Sequence, residues 1–368
     1  MWRVAFLGTG DFAVPALEAL ARAGYPITCV ISQPDRPAGR GMQVRPTPAR
    51  AAAERLGLPH VQAADVNTPE IIARLRGVET DGVRRASADR LNIEAENPSA
   101  NAEETAALKS APAAYGRAEL AAVKIAGADF GVVTAFGQKL SPALLAALPR
   151  GYVNIHGSLL PKYRGAAPYQ WAILNGDAET GVSVFQLDEK WDAGPVWAQS
   201  ATRIGETETA DELHDRLALL GAELIVETLK SIEAGTATPL PQDVSLASRA
   251  PKLTKADGVV DWTRSAAEVV RRIHGLWSWP AATALLTTQR GRQERVALAR
   301  ARIAETTSAS SETTPPGMLR PGGAVQCGRG SVKLLEVKPA GGRLMPFDAF
   351  ARGRQLAPTD YFTAPRAP

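Results

Sequence analysis

Short apolar segments and longer amphipathic segments alternate along residues 1–234. The short segments are bounded by Gly, Pro, Asn or Asp, which is typical of buried strands, and the longer ones have the apolar spacing of surface helices. The predicted strands cover residues 3–7, 27–32, 129–135, 151–156, 181–187 and 196–204, with a further short strand ending at Val61. The predicted helices cover residues 13–23, 48–56, 69–76, 117–125, 142–147, 167–175 and 209–234. This alternation predicts an α/β domain with a doubly wound, mostly parallel, Rossmann-like sheet.

The pattern changes after residue 234. Residues 235–251 carry three prolines and read as a linker, and residues 252–368 combine one helix (266–274) with short strands and Gly/Pro turns. The predicted strands there cover residues 281–288, 296–303 and 330–337, and a Ser/Thr/Glu/Pro-rich loop covers 305–316. We therefore expect a first domain over 1–234, a linker over 235–251 and a small β-barrel domain over 252–368.

Polar residues end the apolar strand at 151–156. Because strand side chains alternate, Asn154 and His156 lie on one face, where an amide and an imidazole could together hold a developing oxyanion. Asp192 follows the next strand in an acidic loop bounded by Gly and Pro. If both strands run parallel, their carboxyl ends meet at one edge, and Asp192 should reach the pair. A local turn role for each residue is the plainer alternative.

The first turn raises a competing hypothesis. Gly8 and Gly10 stand where a dinucleotide-binding turn has its glycines, and Asp35 follows the second strand near the position of a ribose-binding acid. Asp35, however, lies inside a long basic loop, and the glycines equally suit close packing of strand on helix. We favour a structural role for both glycines.

Several long motifs together resemble the folate-dependent formyltransferase family. They are Asn154 to Pro168 (NIHGSLLPKYRGAAP), Gly176 to Val182 (GDAETGV), Asp192 to Gly194 (DAG), Gln33 to Gly41 (QPDRPAGRG), Lys252 to Lys255 (KLTK) and Asp261-Trp262. The resemblance spans nearly the whole chain apart from one insertion. It implies a formyltransferase domain followed by an OB-like barrel.

The resemblance also implies an activity. The chain would transfer the formyl group of 10-formyltetrahydrofolate, its co-substrate, to the amino group of methionyl initiator tRNA, with no metal. Asn154, His156 and Asp192 would be catalytic. The folate would be lined by Ser158, Leu159, Leu160 and Pro161, with Gly137 in the pocket wall.

The distribution of charge along the chain indicates what kind of molecule the protein binds. The net charge is +4, but from Arg249 onward there are 19 Lys/Arg against 9 Asp/Glu, so the C-terminal part carries the whole excess. A basic region of this kind indicates a polyanion or simply a solvated face. Residues 33–50 are also rich in arginine, and their Gly and Pro content predicts a loop with no regular element. The resemblance assigns this loop to the tRNA acceptor end, with Arg40 as the matching arginine. We expect Arg36 and Arg45 of the same loop to bind tRNA with it.

Composition limits other classes. Two distant cysteines and four histidines without paired spacing support neither a disulfide framework nor a metal site. We expect a cytoplasmic monomer that does not contact membranes, because no stretch suits a membrane span and residues 1–8 are too short for a signal peptide. Residues 77–115 are polar, lack apolar periodicity and are expected to form a surface insertion of unassigned role.

Three alternatives stay open at this point. A relative acting on a small amine or amino sugar would share the three polar residues, a nicotinamide-dependent dehydrogenase would use the first turn, and a tRNA-binding module would bind without turnover.

Overall fold

A computed structural model describes residues 1–38, 43–78, 126–305 and 314–365. Arg40, the predicted helix at 117–125 and, apart from Gly77 and Val78, the expected insertion lie outside these ranges. Most of the predicted loop at 305–316 also lies outside them. Among the helices of the described ranges, none combines the length and the apolar character needed to cross a membrane.

Seven strands form the main sheet, in the order β10-β9-β7-β6-β1-β2-β5. The strands are β1 (Val4–Gly8), β2 (Ile27–Ser32), β5 (His60–Gln62), β6 (Phe130–Thr134), β7 (Tyr152–His156), β9 (Glu179–Gln186) and β10 (Val196–Arg203). Strands β5, β2, β1, β6 and β7 run parallel, whereas β7 pairs antiparallel with β9. The doubly wound, mostly parallel fold class is confirmed.

The helices of this part lie close to their predicted bounds. They are α1 (Val14–Arg22), α2 (Pro48–Arg55), α3 (Pro69–Leu75), α4 (Pro142–Leu145), α5 (Pro168–Asn175) and α6 (Ala210–Glu233). Proline occupies the first turn of the first five, where its missing N–H is not needed. Threonine or serine caps α2, α3 and α4 by accepting a backbone N–H.

The prediction of no regular element in residues 33–50 was wrong. Strands β3 (Arg36–Ala38) and β4 (Gln43–Arg45) pair as an antiparallel ribbon, while α2 begins at Pro48 as predicted. The Asp35 carboxylate holds the base of the ribbon, because it accepts hydrogen bonds from the Thr47 amide and the Gln62 side chain and pairs with Arg50. These contacts give order to a segment that buries little apolar surface.

A second, antiparallel sheet of short strands is built from the C-terminal part, in the order β14-β15-β13-β12-β17, with β16 beside β15. The strands are β12 (Ala282–Thr287), β13 (Gln293–Ile303), β14 (Ala324–Gln326), β15 (Ser331–Pro339), β16 (Met345–Pro346) and β17 (Tyr361–Thr363), with helices α7 (Ala266–Gly275) and α8 (Phe347–Arg354). The expected barrel-like sheet is confirmed, although the sequence pattern did not predict β14, β16, β17 and α8. The proposed linker includes a short strand, β11 (Arg249–Ala250), which pairs with β8 (Arg164–Gly165).

The described chain divides into two compact units. Unit 1 comprises residues 1–156, 182–200 and 218–243, and unit 2 comprises residues 157–181, 201–217 and 244–368. Each has its own apolar core: one around Leu7, Ile31 and Tyr152, the other around Val296, Val337 and Phe350. The domain boundaries expected from the sequence stay a prediction.

Candidate active site

The geometry of β7 brings two of the three candidate residues onto one face. Asn154 and His156 alternate with Val153 and Ile155, which are almost fully buried. Asn154 pairs with Val133 of β6 on one side and with Phe185 of β9 on the other. The His156 ring meets the Phe185 ring edge to face, with centroids 6.3 Å apart. The imidazole is therefore held in an apolar wall with only 7% of its side chain exposed.

Asp192, the third candidate residue, lies beside His156. Its carboxylate Oδ2 lies 3.9 Å from His156 Nδ1, and its side chain is only 12% exposed. This separation exceeds a hydrogen-bond length, but catalytic contacts often tighten only when substrate binds. Asp192 thus lies close to His156, as the sequence predicted, and its catalytic role stays a prediction.

The sequence analysis explained this proximity by two parallel strands that end at the same edge of the sheet, and that explanation was wrong. Because β7 and β9 are antiparallel, the chain leaves β9 beside the start of β7, where the Leu187 amide donates to the Tyr152 carbonyl. Residues 187–195 then return over the face of β7. The Gln242 side chain donates to the carbonyls of Asp192 (3.0 Å) and Gly194 (2.7 Å) and so fixes the far end of this loop.

A small cavity of about 60 Å³ opens between this loop and the sheet. It is lined by Val133, Gln138, Lys139, Leu140, Leu145, Asn154, Leu187, Asp188, Lys190, Trp191 and Asp192. Its lining is mixed: five residues are apolar, and the other six, which include Asn154 and Asp192, are polar or charged. Polar groups that converge beside apolar side chains in one recess are the usual form of a small-molecule site.

The residues expected to contact folate fall in two places. Gly137, in unit 1, is exposed at φ +77°, and a Cβ there would lie 2.6 Å from Gln33 Nε2, so the turn requires glycine. In unit 2, the Ser158 hydroxyl is fully buried and donates to the Lys162 carbonyl at 2.7 Å, which shapes the loop. Leu160 is also buried.

A larger cavity, about 490 Å³, belongs to unit 2. Leu159 and Pro161 line it, together with Tyr163, whose hydroxyl donates to Asp177 at 3.0 Å. Lys162 forms an ion pair with the same carboxylate at 3.6 Å. The assignment of residues 158–161 to the folate stays a prediction.

Two of the three arginines assigned to tRNA lie in the β3–β4 ribbon. Arg36 and Arg45 are exposed and stand directly opposite each other in the pairing register. Arg36 donates to Gln33 Oε1 at 2.9 Å. Like charges placed opposite each other destabilise a strand pair, so a bound anion would stabilise this ribbon. Arg40 is in the part of the chain that the structure does not describe.

The residues behind the dinucleotide hypothesis have other roles. A Cβ at Gly8 would lie 2.7 Å from the Ala13 Cβ, so this glycine allows strand and helix to pack closely. The Asp35 carboxylate is already occupied by Thr47, Gln62 and Arg50. Both observations favour the structural interpretation of the turn.

Sequence reasoning missed two residues beside the site. Trp191 lines the cavity although 64% of its side chain is exposed. Its place next to Asp192 in a Gly/Pro-bounded loop could have pointed to it from the sequence. Nothing in the sequence pointed to Gln242, because it lies 48–50 residues from the carbonyls to which it donates. Within the described ranges, no group of three or more His, Cys, Asp or Glu side chains is placed to hold a metal ion.

Comparison with known proteins gives the family. The formyl transferase model matches residues 2–229, and the model of the formyl transferase C-terminal domain matches residues 252–355. The methionyl-tRNA formyltransferase of Heliobacterium modesticaldum is 37% identical over 97% of this chain and 98% of its own length. That of Methylobacterium sp. strain 4-46 is 39% identical over 97% of each chain.

Solved structures share the fold at low identity. A sugar 3N-formyltransferase, WlaRD, crystallised in the presence of dTDP and 5-N-formyl-THF, matches with a TM-score of 0.58 at 14% identity, covering 91% of this chain and 97% of its own. An N-formyltransferase from Helicobacter canadensis, in complex with folinic acid and dTDP-3-aminofucose, also has a TM-score of 0.58, at 13% identity over 91% of this chain and 99% of its own. With two family models covering both parts of the chain and near full-length relatives above 30% identity, the chain belongs to the formyl transferase family, among the methionyl-tRNA formyltransferases.

Proposed function

We propose that this protein transfers the formyl group of 10-formyltetrahydrofolate to the α-amino group of methionyl initiator tRNA, giving N-formylmethionyl-tRNA and tetrahydrofolate. The observation that carries the mechanism is the grouping of Asn154, His156 and Asp192 on one face of β7, beside a cavity in unit 1. Near full-length similarity to proteins named methionyl-tRNA formyltransferase supports the choice of acceptor.

The reaction sets three tasks for the protein. The neutral amine attacks the formyl carbon, negative charge develops on the formyl oxygen, and the new C–N bond leaves the attacking nitrogen positive. That nitrogen loses a proton, the bond from the formyl carbon to folate N10 breaks, and N10 gains a proton. The site must stabilise the oxygen, accept the first proton and keep the formyl group in place.

Asn154 and His156 suit the first task. The Asn154 amide donates without carrying charge, and an imidazole beside it supplies a second donor. Such donors act mainly when the oxygen is charged, so they lower the barrier more than they strengthen substrate binding. The apolar wall around His156 strengthens these contacts by excluding water.

Asp192 suits the second task. Its carboxylate faces His156 Nδ1 at 3.9 Å, a distance that one small movement of the loop would close to a hydrogen bond. It can therefore orient the imidazole and accept the proton that the attacking amine releases. Gln242 assists by holding the Asp192 backbone.

The basic regions suit a tRNA acceptor. We assign Arg36, Arg40 and Arg45 to the acceptor end and the excess of Lys/Arg after Arg249 to the phosphate backbone. The opposed pair Arg36 and Arg45 supports this, because the ribbon places two positive charges where an anion would relieve their repulsion.

The test is direct. The protein is incubated with 10-formyltetrahydrofolate and charged initiator tRNA, and formyl-methionine is measured after the ester bond is hydrolysed. Formylation of the tRNA supports the proposal. Turnover with small amines or amino sugars but not with charged tRNA would replace it by the small-amine alternative, and tRNA binding without turnover would leave a binding module.

A further inference from the structure

We propose that Trp191 is a positioning residue for the folate, and that its indole stacks on the flat aromatic part of the bound co-substrate. The inference rests on the proposed function, because it takes the cavity beside Asn154 and Asp192 as the place where the formyl group is held. It adds a contact that the three polar residues do not provide.

The first observation is the exposure of Trp191. Its side chain is 64% exposed although it lines the cavity. Its indole makes no hydrogen bond or ring contact with the residues that the structure describes. A large, exposed aromatic surface beside this cavity gains from covering a flat ligand, both by losing contact with water and by ring stacking.

The second observation is that the backbone around Trp191 is held in place. On one side the Lys190 amide donates to Asp188 Oδ1 at 2.9 Å, and on the other side the Asp192 carbonyl accepts from Gln242. Asp192 itself has φ +49°, a conformation that turns the chain sharply. The indole is therefore presented by a fixed segment and loses little backbone freedom on binding.

The third observation concerns the ligand's chemistry. In a formyl-folate the formyl nitrogen is bonded directly to an aromatic ring, so a ring must lie within a few bonds of the reacting carbon. Trp191 is the neighbour of Asp192, which we assign to the proton released by the amine that attacks this carbon. The cavity measures only about 60 Å³, so most of a folate must lie at its mouth, where the indole stands.

Intrinsic fluorescence tests the contact. The full-length protein is titrated with 5-formyltetrahydrofolate, which binds as a folate but does not carry its formyl group on N10. The signal of the parent is compared with that of Trp191→Phe, because this difference removes both the other tryptophans and absorption by the folate. Trp279→Phe is the matched control, since Trp279 is 55% exposed and lines neither described cavity.

We expect a folate-dependent signal that disappears in Trp191→Phe and persists in Trp279→Phe. Trp191→Ala should raise KM for the formyl-folate and the Kd of the analogue about tenfold with kcat nearly unchanged, and Phe should restore most of the affinity. The thermal midpoint should not move, because the side chain is exposed. Unchanged KM and Kd in Trp191→Ala, with the parent binding folate normally, would overturn the inference alone. Failure of the parent to bind the analogue would overturn the proposed function with it.

Discussion

At the scale of single residues, the strand that carries Asn154 and His156 depends on a glycine that takes no part in the reaction. Gly131 in β6 lies opposite Tyr152 in β7, and a Cβ at Gly131 would stand 1.9 Å from the tyrosine ring. The Tyr152 side chain is fully buried, and burial raises the pKa of its hydroxyl above the ordinary value. The absence of one methyl group thus lets a large ring support the strand that carries Asn154 and His156.

Replacing Gly131 by Ala should destabilise the protein by about 3 kcal/mol, because the ring has no space to move into and overpacking forces the strands apart. Thermal or denaturant unfolding measures the change. Gly353→Ala is the matched control: Gly353 lies in helix α8, and a Cβ added there would meet nothing within 4 Å, so alanine should stabilise slightly. Equal stability of the two variants would show that the Tyr152 ring is not fixed.

Replacing Asp192 by Asn should lower kcat about 100-fold or more while leaving folate affinity nearly intact. The amide keeps the size of the carboxylate but cannot accept a proton from the attacking amine. Steady-state formylation gives kcat, and equilibrium binding of 5-formyltetrahydrofolate gives the affinity. A variant nearly as active as the parent would remove Asp192 from the mechanism and leave it as a loop residue.

At the scale of elements, helix α7 and strand β13 are joined by a buried histidine. The Ala301 amide donates to His274 Nε2 at 3.1 Å, and the side chain is almost fully buried. Burial lowers the pKa of His274 from 6.5 to about 4, the Arg300 guanidinium adds to the decrease, and Glu212 opposes it. The histidine therefore serves as a neutral acceptor.

This depressed pKa has a defined effect on stability. Below pH 6.5 the unfolded chain binds a proton at His274 and the folded chain does not, so the free energy of unfolding falls as the pH falls. The loss from this residue should approach about 1.4 kcal/mol per pH unit between pH 6.5 and 4. His274→Gln keeps an acceptor but does not titrate, so the difference in stability between parent and variant should change over this window. A difference independent of pH would contradict the assignment.

At the scale of the whole molecule, charge is distributed unevenly. In unit 2 the carboxylates of Glu294 and Glu336 are paired internally with Arg354 and Arg300. Arg302 and Lys333, by contrast, stand directly opposite each other on β13 and β15. Lys333 makes no ion pair within the described ranges. Lys333 is therefore available for an outside anion, and Arg302 beside it has only a long ion pair with the exposed Glu305, at 4.0 Å.

The affinity for charged initiator tRNA should therefore fall steeply with salt, with a log-log slope of about 0.7 to 0.9 per phosphate neutralised. Replacing Arg302 and Lys333 together by Ser should reduce that slope by about 1 to 2 and weaken binding, with little change in folate affinity. The control is Arg22→Ser with Lys230→Ser, which removes two cations from helices α1 and α6. An identical slope in parent and both double variants would show that Arg302 and Lys333 do not contact the tRNA phosphates.

The sequence by itself determined the longer helices and strands, the fold class and the grouping of Asn154 with His156. Strand and helix periods are local properties, so most bounds lie within one or two residues of their predicted positions, and the alternation within β7 alone placed Asn154 and His156 together. Long motifs were sufficient to indicate the family, because many residue types matched at fixed spacing.

Only the tertiary structure decided how Asp192 reaches His156. Strand direction depends on the pairing partner, and the antiparallel pairing of β7 with β9 requires the loop to fold back over the sheet, with Gln242 holding it from 50 residues away. The β3–β4 ribbon was missed for the same reason, because its order comes from the bonds of Asp35 to Thr47 and Gln62. Contacts between residues far apart in the chain leave no periodic signal, so they are visible only once the chain has folded.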